Sequence, residues 1–510
     1  MKLKHLLNSL KSYKAYGNVD RVVTSIADDS RKVKKGSLFI AIRGESVDGH
    51  DYIKNAVRNG VETVIGEKER DKISITGEIT YIRVGNSRKA LALVASAWND
   101  YPSKYLKIIG VTGTDGKTTT ANLIYHYLSK LGKNTGLIST ISAVIAGKEI
   151  DTGFHVTNPE PIDLHKYLRK MVNARCEYAV LEVTSHGLHQ GRVAGIDFEI
   201  AVMTNITYEH MDYHKSWKEY RSVKSELFKK AKIAVLNKDD KSFKFIKEKL
   251  TQGTRLLSYS IKDKKADINA SEINSIGEKT KFKVVYNNKS FNSQLNLLGN
   301  YNVLNYLGAV GAGIGAGFEI DDIFESLSDF KTLKGRLEAI DNDRGLKIYI
   351  DFAHTPNSLE SVLKVLRSKG VGKLISIFGC AGERDRDKRG IMGEISAKYA
   401  DISVITAEDP RSEDVNNILT EITKGVKKVG VKEIGKDDNI PSKGKYFMKI
   451  PERGEAISFA INELAQKGDT VVICGKGHEK SMAYNGKEYP WSDHEAVRLA
   501  LKGKTLNISR

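Results

Sequence analysis

The chain is poor in cysteine and has no long apolar run. Its 510 residues contain three cysteines, Cys176, Cys380 and Cys474, which lie far apart. Cysteines in this arrangement provide neither a disulfide framework nor a zinc site, so we expect a reducing, cytoplasmic environment. No apolar run approaches the ~20 residues of a membrane-spanning helix. The N-terminal lysines are not followed by a continuous apolar segment, so we expect no signal peptide and no membrane partner.

Acidic residues are the scarcer charge: 63 Asp and Glu against 81 Lys and Arg give a formal net charge of +18. Such a charge is compatible with nucleic-acid binding. However, the lysines are dispersed, as at 229–232 and 241–249, and no RRM, zinc-finger or helix-turn-helix signature is present. We therefore favour a lysine-rich surface with pockets for anionic small molecules, and expect no nucleic-acid partner.

The chain is organised around residues 107–120, KIIGVTGTDGKTTT. An apolar run predicts a buried strand at 108–111, a glycine loop follows, and a helical pattern covers 121–131. Backbone N–H groups of such a loop and the dipole of the helix bind phosphate, while Lys117 reaches the outer phosphates and Thr118 ligates Mg²⁺. The strict pattern has glycine where Val111 stands, so this is a shortened P-loop. The alternative is a lone glycine turn, which the agreement of strand, loop and helix makes the weaker interpretation.

Polar side chains follow two further predicted strands of the same sheet. Glu182 lies in the predicted strand 180–183, and His210 comes shortly after the predicted strand 200–203. In an open α/β sheet, groups at the carboxyl ends of strands face the ligand crevice. Glu182 and His210, with Thr118, are therefore candidate metal ligands.

The C-terminal third contains a second α/β pattern without a P-loop of its own. Strands are predicted at 348–351, 374–378, 402–406 and 470–473, and each ends in polar residues. Loops at strand ends build one polar pocket. The side chains that suit a zwitterionic ligand, with guanidinium for carboxylate and carboxylate for ammonium, are Arg384, Arg411, Glu408 and Glu479. For each side chain alone, a surface ion pair is the alternative.

The whole pattern predicts an α/β protein of three domains: residues 1–103, a central parallel-sheet P-loop domain at 104–334, and a second α/β domain at 335–510, which the family resemblance described below implies is Rossmann-like. In the first, strands at 37–42 and 61–65 flank a helix at 52–59, and the polar residues 28–31 bind a ligand or form turns. A helix at 220–231 carries Lys224, which by itself is a solvated lysine. The glycines at 311–317 follow a helical pattern, so we predict a closely packed helix and its C-cap instead of a dinucleotide loop.

Taken together, the motifs resemble the Mur ligase family, and within it the enzymes that add the third residue of the peptidoglycan stem peptide. The resemblance covers essentially the whole chain. It rests on GTDGKTTT (113–120), TNPEP (157–161), EVTSHGLHQGRV (182–193), TNITYEHMDYH (204–214), LLGNYNVLN (297–305), GRLE (335–338), DFAHTPNSLE (351–360), FGCAGERDRDKRG (378–390), EDPR (408–411) and GKGHE (475–479).

The resemblance implies domains for a UDP-linked substrate, for ATP and for an amino acid. It also implies a reaction in which ATP phosphorylates the substrate carboxylate and an amine attacks the acyl phosphate, with Mg²⁺ present. The implied substrates are UDP-N-acetylmuramoyl-L-alanyl-D-glutamate, ATP and meso-diaminopimelate, and we expect a monomer. The alternatives are L-lysine as the added residue, or a folylpolyglutamate or cyanophycin synthetase, against which residues 28–31 and 182–192 argue.

The resemblance also assigns site residues. To ATP it assigns Gly113, Thr114, Asp115, Gly116, Lys117, Thr118, Thr119, Asn302, Asn305, Arg336, Asp351 and His354. To the UDP-linked substrate it assigns Ser30, Thr157, Asn158, Ser185, Gln190 and Arg192. To the amino acid it assigns Arg384, Glu408, Asp409, Arg411, Gly475 and Glu479. Its catalytic residues are Lys117, His210 and Lys224, and Lys224 matches a lysine that the family carbamylates.

Two positions depart from the family pattern. Asn158 stands where the family usually has a second threonine before the proline, and Glu408-Asp409 stands where the diaminopimelate-adding enzymes usually have Asp-Asn. Arg411 is kept, and its guanidinium can pair with the distal carboxylate of diaminopimelate, which lysine lacks. We therefore favour meso-diaminopimelate.

Overall fold

The computed structural model describes residues 1–44, 47–73, 78–150, 158–370, 372–441 and 443–508. We refer to residues 1–103, 104–334 and 335–510 as the N-terminal, central and C-terminal regions. Within the described ranges, no helix combines the length and apolarity needed to cross a membrane.

The N-terminal region is built on a sheet of order β1-β5-β4-β3-β2, parallel except at β1. Its strands are β1 (Lys14–Tyr16), β2 (Ser25–Ala27), β3 (Ser37–Ile40), β4 (Thr63–Gly66) and β5 (Thr80–Arg83). Its α-helices are α1 (Leu3–Leu7), α2 (Ile53–Arg58) and α3 (Ser87–Trp98). Short 3₁₀ helices lie at Gly49–Tyr52, Arg70–Lys72 and Pro102–Tyr105.

The central region is built on a sheet of order β16-β15-β14-β13-β12-β11-β6-β10-β7-β8-β9. It is parallel from β14 to β7 and antiparallel at both edges. Its strands are β6 (Lys107–Thr112), β7 (Thr135–Ile138), β8 (Ala143–Ile145), β9 (Lys148–Ile150), β10 (Tyr178–Glu182), β11 (Phe198–Met203), β12 (Ala231–Asn237), β13 (Arg255–Ser260), β14 (Ile268–Ile276), β15 (Lys279–Tyr286) and β16 (Lys289–Leu295). Its α-helices are α4 (Lys117–Lys130), α5 (Pro161–Asn173), α6 (Ser185–His189), α7 (Met211–His214), α8 (Trp217–Ser225), α9 (Phe243–Lys247), α10 (Asn300–Gly315) and α11 (Ile320–Leu327).

The C-terminal region is built on a sheet of order β17-β18-β23-β19-β20-β22-β21, parallel except at β17, with a separate hairpin β24-β25. Its strands are β17 (Glu338–Ile340), β18 (Lys347–Asp351), β19 (Leu374–Phe378), β20 (Ile402–Ile405), β21 (Lys432–Glu433), β22 (Tyr446–Lys449), β23 (Thr470–Cys474), β24 (Ser481–Tyr484) and β25 (Lys487–Pro490). Its helices are α12 (Pro356–Lys369), α13 (Asp387–Tyr399), α14 (Val415–Lys428), α15 (Arg453–Phe459), a π-helix at Ala460–Leu464, and α16 (Asp493–Ala500).

Helices cover both faces of the central sheet, which explains why its strands are apolar on both sides. In β6, Ile109 packs into the apolar cluster that includes Tyr127 of α4, whereas Ile108 packs into the cluster on the other face, with Leu168 of α5. All of these side chains are buried. The layered arrangement leaves the strand ends as the place where polar side chains gather.

The predicted α/β class, the parallel central sheet and the buried strands are confirmed. The glycine-rich stretch 311–317 is a packed helix as predicted: a Cβ on Gly311 would lie 2.6 Å from Val235 Cγ1 in β12. The predicted helix at 220–231 is wrong at its end. The α-helix stops at Ser225 because the buried side chains of Leu227 and Phe228 turn the chain into β12. The domain boundaries stay predictions.

Candidate active site

The P-loop has the geometry expected of a phosphate cradle. The chain leaves β6 at Thr112, and α4 begins at Lys117. Lys117 Nζ donates to the carbonyl oxygens of Gly113, at 3.1 Å, and Thr114, at 2.7 Å, so the ammonium is folded over its own loop. Gly116 has φ +82°, and a Cβ there would lie 2.2 Å from Asn305 Oδ1. Glycine is therefore required for both its conformation and its contact with α10.

Thr118 lies between a carboxylate and a guanidinium. Its hydroxyl donates to Glu182 Oε2 at 3.1 Å and accepts from Arg336 Nη2 at 3.0 Å. Glu182 is fully buried at the end of β10, and its other oxygen accepts the backbone N–H of Thr140 at 2.9 Å. Because Arg336 belongs to the C-terminal region, the phosphate cradle receives cations from two regions of the chain.

His210 has a left-handed backbone, with φ 57°, and its ring lies 4.8 Å from that of His186. Burial lowers the pKa of His210 to about 3, against the opposing effect of Glu209. The imidazole is therefore neutral at pH 7, with a lone pair available. Across the described ranges, no group of three or more His, Cys, Asp or Glu side chains is arranged to hold a metal. The set of Thr118, Glu182 and His210 stays a prediction.

Lys224 is a buried lysine directed at the P-loop. Its exposed fraction is 1%, and its Nζ donates to the carbonyl of Gly113 at 2.6 Å. Its ammonium also lies 4.7 Å from the centre of the Tyr220 ring. Burial, followed by the charge of Lys117, holds the pKa of Lys224 well below its ordinary value.

The residues predicted for the nucleotide side come from α10, from the segment before β17, and from the end of β18 and the loop that follows it. Asn305 Nδ2 donates to Asn302 Oδ1 at 3.1 Å, and Asn302 Nδ2 donates to the carbonyl of Leu298 at 2.8 Å. Burial raises the pKa of Asp351 to about 6, while Arg336 acts to lower it.

Three polar contacts join the P-loop side to the loop after β18 and the start of α12. His354 Nε2 lies 3.2 Å from Glu209 Oε1. Asp115 accepts hydrogen bonds from Thr355 Oγ1 at 3.2 Å and from Asn357 Nδ2 at 2.8 Å. The N-terminal end of α12 is therefore in direct contact with the P-loop.

The residues predicted for the UDP-linked substrate fall into three groups. Asn158, Ser185, Gln190 and Arg192 line one cavity with the P-loop. Arg192 donates to Gln190 Oε1 at 2.9 Å and to the carbonyl of Asn158 at 2.7 Å. Ser30 is buried in the N-terminal region and does not line this cavity. Thr157 lies outside the described residues.

The amino-acid residues surround a buried carboxylate. Glu408 is 7% exposed, and its Oε2 has no hydrogen-bond partner among the residues that the structure describes. Asp409 is paired with Lys476, whose Nζ lies 3.0 Å from each carboxylate oxygen, and Lys476 also contacts Glu479. Burial lowers the pKa of Arg384, and the charge of Arg411 acts in the same direction, while the carboxylates of Asp212, Glu383 and Asp409 oppose it. Arg384 and Arg411 both line the cavity.

One cavity of about 400 Å³ joins these groups. Its lining includes the P-loop, Lys224 and His210 of the central region and, except for Gly475, the residues of the C-terminal region predicted for the amino acid. Among the lining residues that the sequence analysis did not single out are Asp212, Tyr301, Phe352, Asn357 and Lys388. Four of them lie inside or beside motifs already quoted (204–214, 297–305, 351–360), and Lys388 lies within 378–390, so their position in those motifs was the available signal.

Comparison with known proteins gives matches along the whole chain. Residues 22–99 match the Mur ligase family catalytic domain, residues 111–313 the Mur ligase middle domain, and residues 335–477 the Mur ligase glutamate ligase domain. A Bacillus velezensis protein named UDP-N-acetylmuramoyl-L-alanyl-D-glutamate–2,6-diaminopimelate ligase is 38% identical, covering 98% of this chain and 99% of the relative. The Clostridium botulinum protein of the same name is 36% identical, covering 98% of this chain and 100% of the relative.

Solved structures agree in fold. A structure of a UDP-N-acetylmuramoyl-L-alanyl-D-glutamate–2,6-diaminopimelate ligase matches with a TM-score of 0.66 and 28% identity, covering 98% of each chain. A MurF ligase from Thermotoga maritima, solved with ADP, matches with a TM-score of 0.62 and 19% identity, covering 94% of this chain and 97% of the other. From the domain matches and the full-length relatives, the chain belongs to the Mur ligase family.

Proposed function

We propose that the chain is an ATP-dependent ligase that adds meso-diaminopimelate to UDP-N-acetylmuramoyl-L-alanyl-D-glutamate during peptidoglycan synthesis. The observation that carries this proposal is the single cavity that brings the P-loop, Lys224 and the amino-acid residues together. Full-length relatives with 36–38% identity carry the name of this activity. We also propose that the protein is a monomer and that it acts in the cytoplasm. Light scattering of the purified chain tests the oligomeric state.

The chemistry requires the substrate carboxylate to be activated, because a carboxylate is a poor electrophile. Phosphoryl transfer between anions depends on positioned cations. Lys117, which is folded over the P-loop, and Arg336, which donates to the Thr118 hydroxyl, supply them. Transfer of the terminal phosphoryl group of ATP to the carboxylate leaves ADP. The amine of the amino acid then attacks the acyl phosphate, and the tetrahedral intermediate loses phosphate and a proton to give the amide.

We propose that Mg²⁺ is held by Thr118 and Glu182, with His210 as a further ligand. The hydroxyl and carboxylate oxygens lie 3.1 Å apart and are the hard donors that this ion prefers. When bound, Mg²⁺ neutralises charge on the nucleotide phosphates. Arg336, which belongs to the C-terminal region, donates to the Thr118 hydroxyl and so orients one of the oxygens that would hold the ion.

The amino-acid end of the cavity supports selection of a zwitterion with a second carboxylate. The unpartnered Glu408 carboxylate suits an ammonium group, and the pair of guanidiniums on Arg384 and Arg411 suits a carboxylate. Diaminopimelate offers both at its distal end, whereas L-lysine offers only the ammonium. L-lysine is the alternative substrate, because Glu408 stands where the diaminopimelate-adding enzymes usually have Asp.

Mass spectrometry of the product tests the proposed function. Incubation of the UDP-linked dipeptide with ATP, Mg²⁺ and meso-diaminopimelate is expected to give the UDP-linked tripeptide and ADP. Omitting ATP is expected to leave the dipeptide unchanged. A dipeptide that stays unchanged with every amino acid tried would contradict the proposal.

We propose that Lys224 is carbamylated in the active enzyme. A neutral amine is needed to attack CO₂, forming an N–C bond and releasing a proton, and burial lowers the pKa of Lys224 well below its ordinary value, which favours the neutral form. In ¹³CO₂-equilibrated buffer, the active enzyme is expected to show a carbamate carbon signal that is lost in Lys224→Ala. Turnover is expected to fall in CO₂-depleted buffer and to return with bicarbonate. Full activity with an unmodified Lys224 would refute the carbamate.

Asp115 of the P-loop accepts hydrogen bonds from the N-terminal end of α12. We expect the loss of one of them to weaken the closure of the C-terminal region over ATP. Asn357→Ala removes one of the two hydrogen bonds that Asp115 accepts from α12. A hydrogen bond to a charged group contributes about 1.5 kcal/mol, so we expect the KM for ATP to rise about tenfold. Ser368→Ala, an exposed change near the other end of α12, is the matched control. An unchanged KM in Asn357→Ala would remove this contact from nucleotide binding.

A further inference from the structure

The C-terminal region contains a fully buried ion pair that the proposed chemistry does not use. Arg453 and Asp493 both have exposed side-chain fractions of 0%. Arg453 Nε donates to Asp493 Oδ1 at 2.8 Å, and its Nη2 donates to Oδ2 at 2.7 Å. The indole N–H of Trp491 also donates to Asp493 Oδ1, at 2.9 Å. Arg453 is the first residue of α15, and Asp493 is the first residue of α16.

The remaining N–H groups of Arg453 reach two strand ends. Its Nη1 donates to the carbonyl of Ala407 at 3.2 Å, and its Nη2 donates to the carbonyl of Cys474 at 3.0 Å. Ala407 lies two residues after the end of β20, and Cys474 is the last residue of β23. These strands are not neighbours, because β19 lies between them. One guanidinium therefore connects the carboxyl ends of two separated strands.

Each strand end is followed by a residue predicted for the amino acid, and one of the two, Glu408, lines the cavity. Glu408 follows Ala407, and Gly475 follows Cys474. The two are packed together, since a Cβ on Gly475, whose φ is +111°, would lie 3.1 Å from Glu408 Cγ. The orientation of the buried Glu408 carboxylate thus depends on the relative position of these two strand ends.

Stability alone does not explain such a pair. Removing two charges from water costs several kcal/mol, and apolar residues of similar volume often replace a buried ion pair without loss of stability. What apolar residues cannot provide is a set of donors directed at two backbone carbonyls. The guanidinium's rigid fork is suited to holding such groups at fixed positions.

We propose that Arg453, held by Asp493, is a positioning residue for the amino-acid substrate. It fixes the ends of β20 and β23 so that Glu408 and Gly475 form the floor of the amino-acid site. This inference rests on the proposed function for the identity of the ligand. It assigns the pair a role in affinity for the amino acid and none in binding ATP.

The test is the double variant Arg453→Met with Asp493→Leu, which removes both charges and both carbonyl contacts together. Because no unpaired buried charge is left, we expect it to fold with a thermal midpoint close to that of the wild type. The matched control is Arg367→Met. Arg367 lies at the opposite ends of the sheet, where it pairs with Asp401 at 2.8 Å, and is remote from the cavity lining.

Steady-state kinetics with the full chain give the first readout. In the double variant the KM for meso-diaminopimelate is expected to rise by about tenfold to a hundredfold, since small displacements of binding groups have effects of this size. The KM for ATP in the double variant is expected to change less than twofold. In the control variant Arg367→Met, both KM values are expected to change less than twofold. The single variant Arg453→Lys keeps the positive charge beside Asp493. Its KM for meso-diaminopimelate is expected to lie between those of the wild type and the double variant. Equal changes in both KM values, or none, would overturn the proposal.

Hydrogen exchange gives a readout that does not depend on the substrate. In the double variant, exchange is expected to rise in segments 407–411 and 474–479 and to stay unchanged in the P-loop segment 113–120. Unchanged exchange in the first two segments would overturn the positioning role. A wild-type enzyme that uses no amino acid would instead contradict the proposed function, while the exchange measurement still decides whether Arg453 orders these strand ends.

Discussion

Lys117→Ala is expected to lower the rate of ATP-dependent phosphate release by about a thousandfold, an effect typical of removing a preorganised charge from a transition state. Lys117 Nζ is held over the P-loop by two carbonyls of that loop, so its charge lies where the transferring phosphoryl group belongs. Its aliphatic stem is only half-buried, so the fold is expected to survive the change. The measurement is phosphate release under saturating substrates, together with a thermal melt.

The matched control for Lys117 lies on the same helix. Lys130→Ala removes an exposed lysine at the C-terminal end of α4 that pairs with Asp329 at 2.6 Å. It is expected to keep wild-type turnover, because surface ion pairs contribute little. Normal ligation by Lys117→Ala would refute the assignment of the P-loop to ATP.

Arg411→Ala is expected to raise the KM for meso-diaminopimelate by about tenfold to a hundredfold and to leave the KM for ATP within about twofold, in line with the loss of one charge-assisted hydrogen-bonded pair. The residue has a left-handed backbone, with φ 55°. Its N–H donates to the carbonyl of Ala483 at 2.9 Å, and its carbonyl accepts from Asn485. These backbone contacts do not involve the side chain, so the loop is expected to keep its course.

Two further variants sharpen the Arg411 experiment. Arg411→Lys keeps the charge but loses the planar fork, and is expected to recover only part of the affinity. Arg386→Ala removes a neighbouring exposed guanidinium that pairs with Glu413 and is absent from the cavity lining, and is expected to behave as wild type. If Arg411→Ala affects ATP and the amino acid equally, Arg411 does not belong to the amino-acid site.

The parts of the site that the sequence predicted are those encoded by neighbouring residues. The P-loop combines an apolar strand, a glycine turn and Lys117-Thr118 within one short segment, and the structure gives this arrangement. Glu182 was identifiable because it ends a run of buried apolar residues. For such local signals, the period of the pattern and the turn chemistry are sufficient.

The parts that residue patterns alone did not predict depend on contacts between distant segments. Lys224 is one lysine on a polar helix, and its burial against Gly113 brings together two residues that are 111 positions apart in the chain. Arg453 and Asp493 are 40 positions apart, and their pairing depends on how α15 and α16 meet. Periodicity carries no information about such encounters. The family resemblance identified Lys224, but it did not identify the buried pair.

The measurement that tests the account most directly is phosphate release from ATP in the presence of UDP-N-acetylmuramoyl-L-alanyl-D-glutamate, comparing meso-diaminopimelate, L-lysine and L-ornithine. We predict release with meso-diaminopimelate and not with the other two, because only it offers a distal carboxylate to Arg411. Release with L-lysine in its place would contradict the role given to Arg411. Release with none of the three would contradict the proposed ligase.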